Sequence, residues 1–159
     1  MPNNDSTLRE QLVTAMSGRE SQIDFDSAVK DFPPDLRGAK PAGAPHSAWQ
    51  LLEHMRIAQH DILEFSRDPN HQSPKWPEGY WPSTDAPPNA KAWDATVTAF
   101  RQDARELDKL VQDTRNDLFK PFAHGDGQTL LREVLLVATH NSYHLGQVMF
   151  LKKTLTAKT

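Results

Sequence analysis

Two histidines four residues apart, His140 and His144, have a spacing that can do chemistry. On an α-helix they lie on one face, one turn apart, close enough to grip a single ion. On a helical wheel they share a stripe with Leu130, Glu133, Val137, Val148 and Leu151. The pair therefore faces an interior, where imidazole is costly without a partner. A lone pair of this kind is more often two hydrogen-bonded polar residues than a metal grip, so a third ligand matters. His54 sits beside Leu51 and Ala58 at the edge of another apolar stripe, placed to look across at a neighbouring helix. His60 falls on a different side of that helix and should face solvent or an interface. His46, His71 and His124 lie in or near loops and, like His60, read as surface or loop residues. Residue 141 is Asn, so the Glu that acts as general base in a His-Glu-x-x-His protease is missing.

Composition narrows the rest. The chain has 159 residues and no cysteine, which removes disulfides, thiolate zinc sites, iron–sulfur clusters and Cys nucleophiles together. Any metal must sit on His, Asp or Glu, and any thiol must arrive with a substrate. Lys+Arg is 18 against Asp+Glu 21, a net charge of -3 without a basic block, so no nucleic-acid partner is expected. No apolar run approaches the ~18 residues of a membrane span. The start, Met1 to Asp5, is polar and lacks the order of a signal peptide, which gives a cytoplasmic expectation. Gly-x-Gly-x-x-Gly and Walker loops are absent. The length suits one domain, residues 1–159.

The elements that must position the histidines are marked out by proline, which helix interiors exclude. Two proline clusters, 33–45 and 69–88, leave long proline-free stretches. The first runs from about Thr7 to Lys30, with Thr7 and Glu10 at capping-box spacing and Gly18 as a candidate interruption. The second runs from Ser47 to about Arg67, again with a capping-box pair, Ser47 and Gln50. Its apolar residues keep the rhythm of one helical face. The third spans about Asn89 to Asp113 and the fourth about Thr129 to Lys153. Four helices without a period-2 segment predict an all-α four-helix bundle. The long Pro-rich connection from Asp68 to Pro88 allows the second and third helices to run parallel, giving an up-down-down-up topology. That connection carries Trp76, Tyr80 and Trp81, read as loop anchors or a dimer contact ahead of ligand-stacking rings.

The run Thr139-His140-Asn141-Ser142-Tyr143-His144-Leu145-Gly146-Gln147 resembles a signature of the DinB-like (DinB/YfiT) superfamily. Ser47-Ala48-Trp49-Gln50-Leu51-Leu52-Glu53-His54-Met55 resembles a second, and Gly-Asp-Gly-Gln-Thr at 125–129 fits the entry to the last helix. The likeness extends from the first helix to Leu151. It implies the up-down-down-up bundle and a divalent metal held by three His, which here are His54, His140 and His144. It also implies frequent homodimers, and relatives that act with low-molecular-weight thiols or as metal-dependent hydrolases.

Three neutral imidazoles leave an ion its full charge and leave positions open for water or substrate. Such a site can lower the pKa of water towards ~7 or take a thiol as thiolate. Zinc or nickel suits the donors first, with iron, manganese or copper behind. The expected function is a metal-dependent enzyme moving a low-molecular-weight thiol to or from a small electrophile. The alternatives are hydrolysis by a metal-activated water, and a non-catalytic metal-binding or stress-response module. Gln147 and Glu133 are candidates for outer contacts to the site. Gln147 can reach a ligand or another helix; Glu133 can accept an imidazole N–H or bind an Arg. Asp61, two turns after His54, stands likewise. Tyr143 reads as packing or interface. Gly146, which costs about 1 kcal/mol against Ala in mid-helix, implies a close approach there.

Overall fold

The structure is a computed structural model that describes residues 4–19 and 23–157. Among the described residues there are five α-helices: α1 (Asn4–Ser17), α2 (Phe25–Val29), α3 (Ala48–Arg67), α4 (Ala92–Gln112) and α5 (Leu130–Thr156). Short 3-10 turns occupy Pro34–Leu36 and Glu78–Tyr80. Among the described residues there is no strand, only an isolated bridge between Pro121 and Thr129. Among the described residues, no helix is long and apolar enough to cross a membrane.

Helix ends follow local chemistry. Ser47 and Gln50 close the expected capping box: the Ser47 hydroxyl accepts from the Gln50 N–H and the Gln50 side chain accepts from the Ser47 N–H. Thr129 caps α5 through the Arg132 N–H. The first stretch departs from expectation. Thr7 lies inside α1, not at its cap, and α1 stops at Ser17, where Gly18 adopts φ +67. A left-handed residue is the usual way to end a helix, and glycine takes it without Cβ strain. Residues 20–22 of that stretch lie outside the described residues. The chain then forms the separate short α2, capped by Asp24.

The four longer helices pack in pairs, α3 on α4 and α5, and α1 on α4 and α5. Glu53 meets Thr96, Gln59 meets the Phe100 carbonyl and His60 meets Asp103, so these contacts advance together along α3 and α4. On α5 the order reverses. Leu51 and Leu52 share a core with Leu145, Val148 and Leu151, whereas Ile62 and Leu63 share one with Val137. The apolar interior is thus divided. One core gathers α2, the start of α3 and the end of α5 around Trp49, Trp93 and Phe100. Two smaller ones gather Leu12, Val111 and Val134, and Leu63, Leu107 and Val137. Polar residues lie between: buried Gln59 donates to the Phe100 carbonyl and accepts from Asn141.

Arg9 joins α1 to the end of α4. It is buried, and its guanidinium donates to the carbonyls of Val111 (2.6 Å), Asp113 (3.2 Å) and Asn116 (2.8 Å), with Asp5 balancing its charge. Carbonyls at a helix C-terminus have no partner of their own, so the arginine acts as a cap supplied from another helix. Arg9→Ala should lower unfolding free energy by about 2–4 kcal/mol, the cost of stranding several buried acceptors. Urea denaturation followed by circular dichroism measures this; a midpoint within error of the wild type would refute it.

Candidate metal centre

The three histidines singled out in the sequence meet. The candidate ligand atoms of His54, His140 and His144 all lie within 4.8 Å of one another. Ring centroids are 4.9 Å apart for His54 and His140, 4.8 Å for His54 and His144, and 4.5 Å for His140 and His144. His140 and His144 come from successive turns of α5, and His54 reaches them from α3. His54 and His144 are buried, and His140 is half-buried.

Hydrogen bonds determine which nitrogens are available. His54 Nδ1 lies 2.9 Å from the Tyr80 carbonyl, which can only accept, so Nδ1 carries the proton and Nε2 presents its lone pair. His144 Nδ1 donates to Gln147 Oε1 at 2.7 Å, which leaves its Nε2 bare as well. His54 Nε2 and His140 Nε2 face each other at 3.0 Å. Two nitrogens sharing one zinc stand roughly 3–3.5 Å apart, given bonds of about 2.0–2.1 Å. Nitrogens gathered at one point, with the far N–H groups of two of the rings tied to oxygens, are the arrangement of histidines that bind metal. The three-His group fits a divalent ion.

Burial keeps all three rings neutral. His140 is pushed down to about 4, first by burial and then by His144 and His54. His54 and His144 are also lowered, mainly by burial, against the opposing bonds to Tyr80 and Gln147. A neutral imidazole is the form that ligates.

The Pro-rich connection supplies the cover. Trp81 stacks flat on His54, with centroids 3.9 Å apart and planes 2° apart, and His46 stacks on the other face of Trp81 at 4.0 Å. Tyr80 gives its carbonyl to His54 and donates its hydroxyl to Asp61 at 2.5 Å, while His71 Nε2 holds the second Asp61 oxygen at 2.7 Å. Burial and the Asp61 bond push Tyr80 up to about 12, so the phenol remains protonated. Loop anchoring or a dimer contact was expected of the rings ahead of a place at the site; Trp81 and the Tyr80 carbonyl do contact His54. Trp76 is exposed. His46 and His71 do sit in loops, yet both brace this layer. His60 is exposed and paired with Asp103, and His124 contacts the Phe65 carbonyl.

Other candidates resolve less uniformly. Gln147 touches the site through His144 within its own helix. The Glu133 carboxylate accepts from Arg132 at 2.6 Å, which is the Arg-binding alternative. Asp61 serves Tyr80 and His71. Asn141 donates to Gln59. Tyr143 is exposed. The close approach expected at Gly146 is absent: a Cβ there would meet nothing within 4 Å, and the residue lines an open groove facing Pro41 to Pro45. A glycine in mid-helix signals space as readily as contact, and the spacing of residues cannot separate the two.

Beside the cluster is a cavity of about 380 Å³, lined at one end by His54 and His140 and further along by Ile62, Phe65, Leu136 and Arg132. This is a size that small organic ligands occupy. A family model described as the DinB superfamily matches residues 19–148. Neither the curated proteins nor the solved structures give a match.

The protonation argument has a measurable consequence for the metal-free protein. A buried imidazole held below its unfolded value, near 6.5, binds its proton less readily when folded. Stability is therefore full above about 6.5 and falls as pH drops towards about 4. The urea midpoint of the metal-free chain should decline across that window, and His140→Leu should flatten the decline. A wild-type midpoint that holds steady from pH 7 to 4.5 would contradict it.

Proposed function

The chain belongs to the DinB superfamily, and from that premise we propose that His54, His140 and His144 hold one divalent ion, zinc or nickel, in a metal-dependent enzyme that transfers a low-molecular-weight thiol to or from a small electrophile. The observation that carries this reading is the convergence of three imidazoles, two buried and one half-buried, with the outward N–H groups of His54 and His144 held by oxygens. When bound, the ion supplies Lewis acidity and favours the thiolate over the thiol.

The chain's own residues do the remaining work. The Tyr80 carbonyl and Gln147 Oε1 orient two of the rings and select their tautomers. Trp81 covers one face of His54 and keeps water from that side. The adjoining cavity leaves room for substrate against His54 and His140. Absence of cysteine means that no protein thiolate competes for the open position. We read the four longer helices as an up-down-down-up bundle, supported by the contacts that advance together on α3 and α4 and reverse on α5. We also propose a homodimer, the commonest closed assembly. The support for it is the α5 face where Tyr143 and Phe150 stand exposed seven residues apart, flanking the open space at Gly146.

Purified protein should bind about one equivalent of zinc or nickel. With that ion it should consume a thiol in the presence of a small electrophile such as an activated alkene or epoxide. His144→Ala should lose the ion and the activity while keeping its helical signal, because amphipathic packing supplies most of the burial. His60→Ala, exposed on another side of α3, should retain both. Equal metal content in wild type and His144→Ala would remove the ligand assignment, and helix loss on chelation would make the ion structural. Turnover of esters or amides without thiol would replace transfer by hydrolysis. Light scattering should return twice the mass of one chain; a single-chain mass would exclude the dimer.

A further inference from the structure

The cavity beside the histidines has a second chemical end. On α5, Arg132, Leu136 and His140 follow at intervals of four and all line it; on α3, His54, Ala58 and Ile62 do the same. Residues four apart share a helix face. The two ladders run from the histidines through an apolar middle to Arg132, eight residues or about 12 Å of helix rise from His140. Phe65 and Trp76 extend the apolar wall.

Arg132 has donors to spare. Among the described residues, its guanidinium has one partner, Glu133, reached through Nη1 at 2.6 Å. Glu133 is 3% exposed and Arg132 57%, so a buried carboxylate holds the arginine at the cavity edge while Nε and Nη2 stay free. Gln128 lines the same end. Its Oε1 accepts from the Asp126 N–H, and its amide NH2 makes no hydrogen bond among the described residues. Spare N–H groups from two side chains match a planar anion. The other charges in the lining are Asp61 and Glu133. Asp61 is held by Tyr80 and His71, and Glu133 is matched by Arg132. With a divalent ion at the histidines the cavity is net positive.

We propose that this cavity selects a small organic acid, whose carboxylate binds Arg132 and Gln128 and whose apolar body lies along Ala58, Ile62 and Leu136 with its reactive end at the histidine cluster. This deepens the function proposed above and rests on its metal site. Arg132 is then a specificity-determining residue, not one that acts on the reacting atoms.

The test uses cobalt-loaded full-length protein and hydroxamates, which grip a metal whether or not thiols are substrates. A series of ω-carboxyalkyl hydroxamates is compared with ω-hydroxyalkyl hydroxamates of equal length, binding being followed in the cobalt absorption spectrum. At the fitting length the acid should bind roughly tenfold or more tightly than the alcohol, the scale of a charge-assisted bond. The double variant R132Q/E133Q leaves no buried carboxylate unpaired; it should erase the preference without changing cobalt content or helical signal. Arg132→Lys should restore part of it. Equal affinities at every length, or an undiminished preference in the double variant, would overturn the inference while cobalt binding still upheld the metal site. A protein that takes up no cobalt would overturn both.

Discussion

Burying three imidazoles within contact of one another is the constraint on which the rest of the structure depends. Each ring has two nitrogens that want partners, and each loses hydration on entering the interior. If all three were protonated, like charges would crowd a space a few ångströms across. The fold meets this by keeping the rings neutral and by turning a proton-bearing nitrogen of two of them outward onto oxygen. His54 leans on the Tyr80 carbonyl and His144 on Gln147. The remaining ring nitrogens converge, and a divalent ion matches them in donor type and spacing.

That requirement explains the long connection between α3 and α4. A loop from Asp68 to Pro88 is longer than the joining of two helices needs. Its middle carries the carbonyl that sets the His54 tautomer and the indole that covers His54. It is pinned through Tyr80 to Asp61, one of the α3 residues two turns beyond His54. Ser47 holds the loop's far end by donating to the Asp85 carbonyl, and Gln50 adds a bond to the Asp85 side chain. The loop is therefore a wall of the site, built from backbone and rings, and α3 carries the ligand together with the groups that anchor its support.

The same constraint divides the core. A ring of polar groups at the level of His54, Gln59 and Asn141 interrupts what would otherwise be one apolar interior, so packing is concentrated above and below it. Gln59 satisfies itself across two helices, which ties α4 to α5 at the level of the site. The cavity runs from His54 past Ala58, whose small side chain leaves space that Leu or Phe would fill.

Local spacing already determined much of this protein. Amphipathic rhythm and proline exclusion located α3, α4 and α5 to within a few residues, and the pair Ser47–Gln50 marks a real helix start, because capping depends on neighbours three residues apart. The four-residue interval of His140 and His144 placed both on one face for the same reason, and His54 was marked by its place at the edge of the α3 stripe together with the family likeness. What depended on distant contacts was not legible. Thr7 has the spacing of a cap, but the helix begins earlier. Gly146 looked crowded and is open. Glu133 could accept from an imidazole or bind an Arg, and spacing left the two open; it holds Arg132. The Trp81 stack, the Tyr80 carbonyl and the free donors of Arg132 carry no sequence signal, since each depends on a loop or helix brought in from far along the chain. Periodicity reports which way a side chain points on its own helix; only the packing of helices and loop decides what it meets.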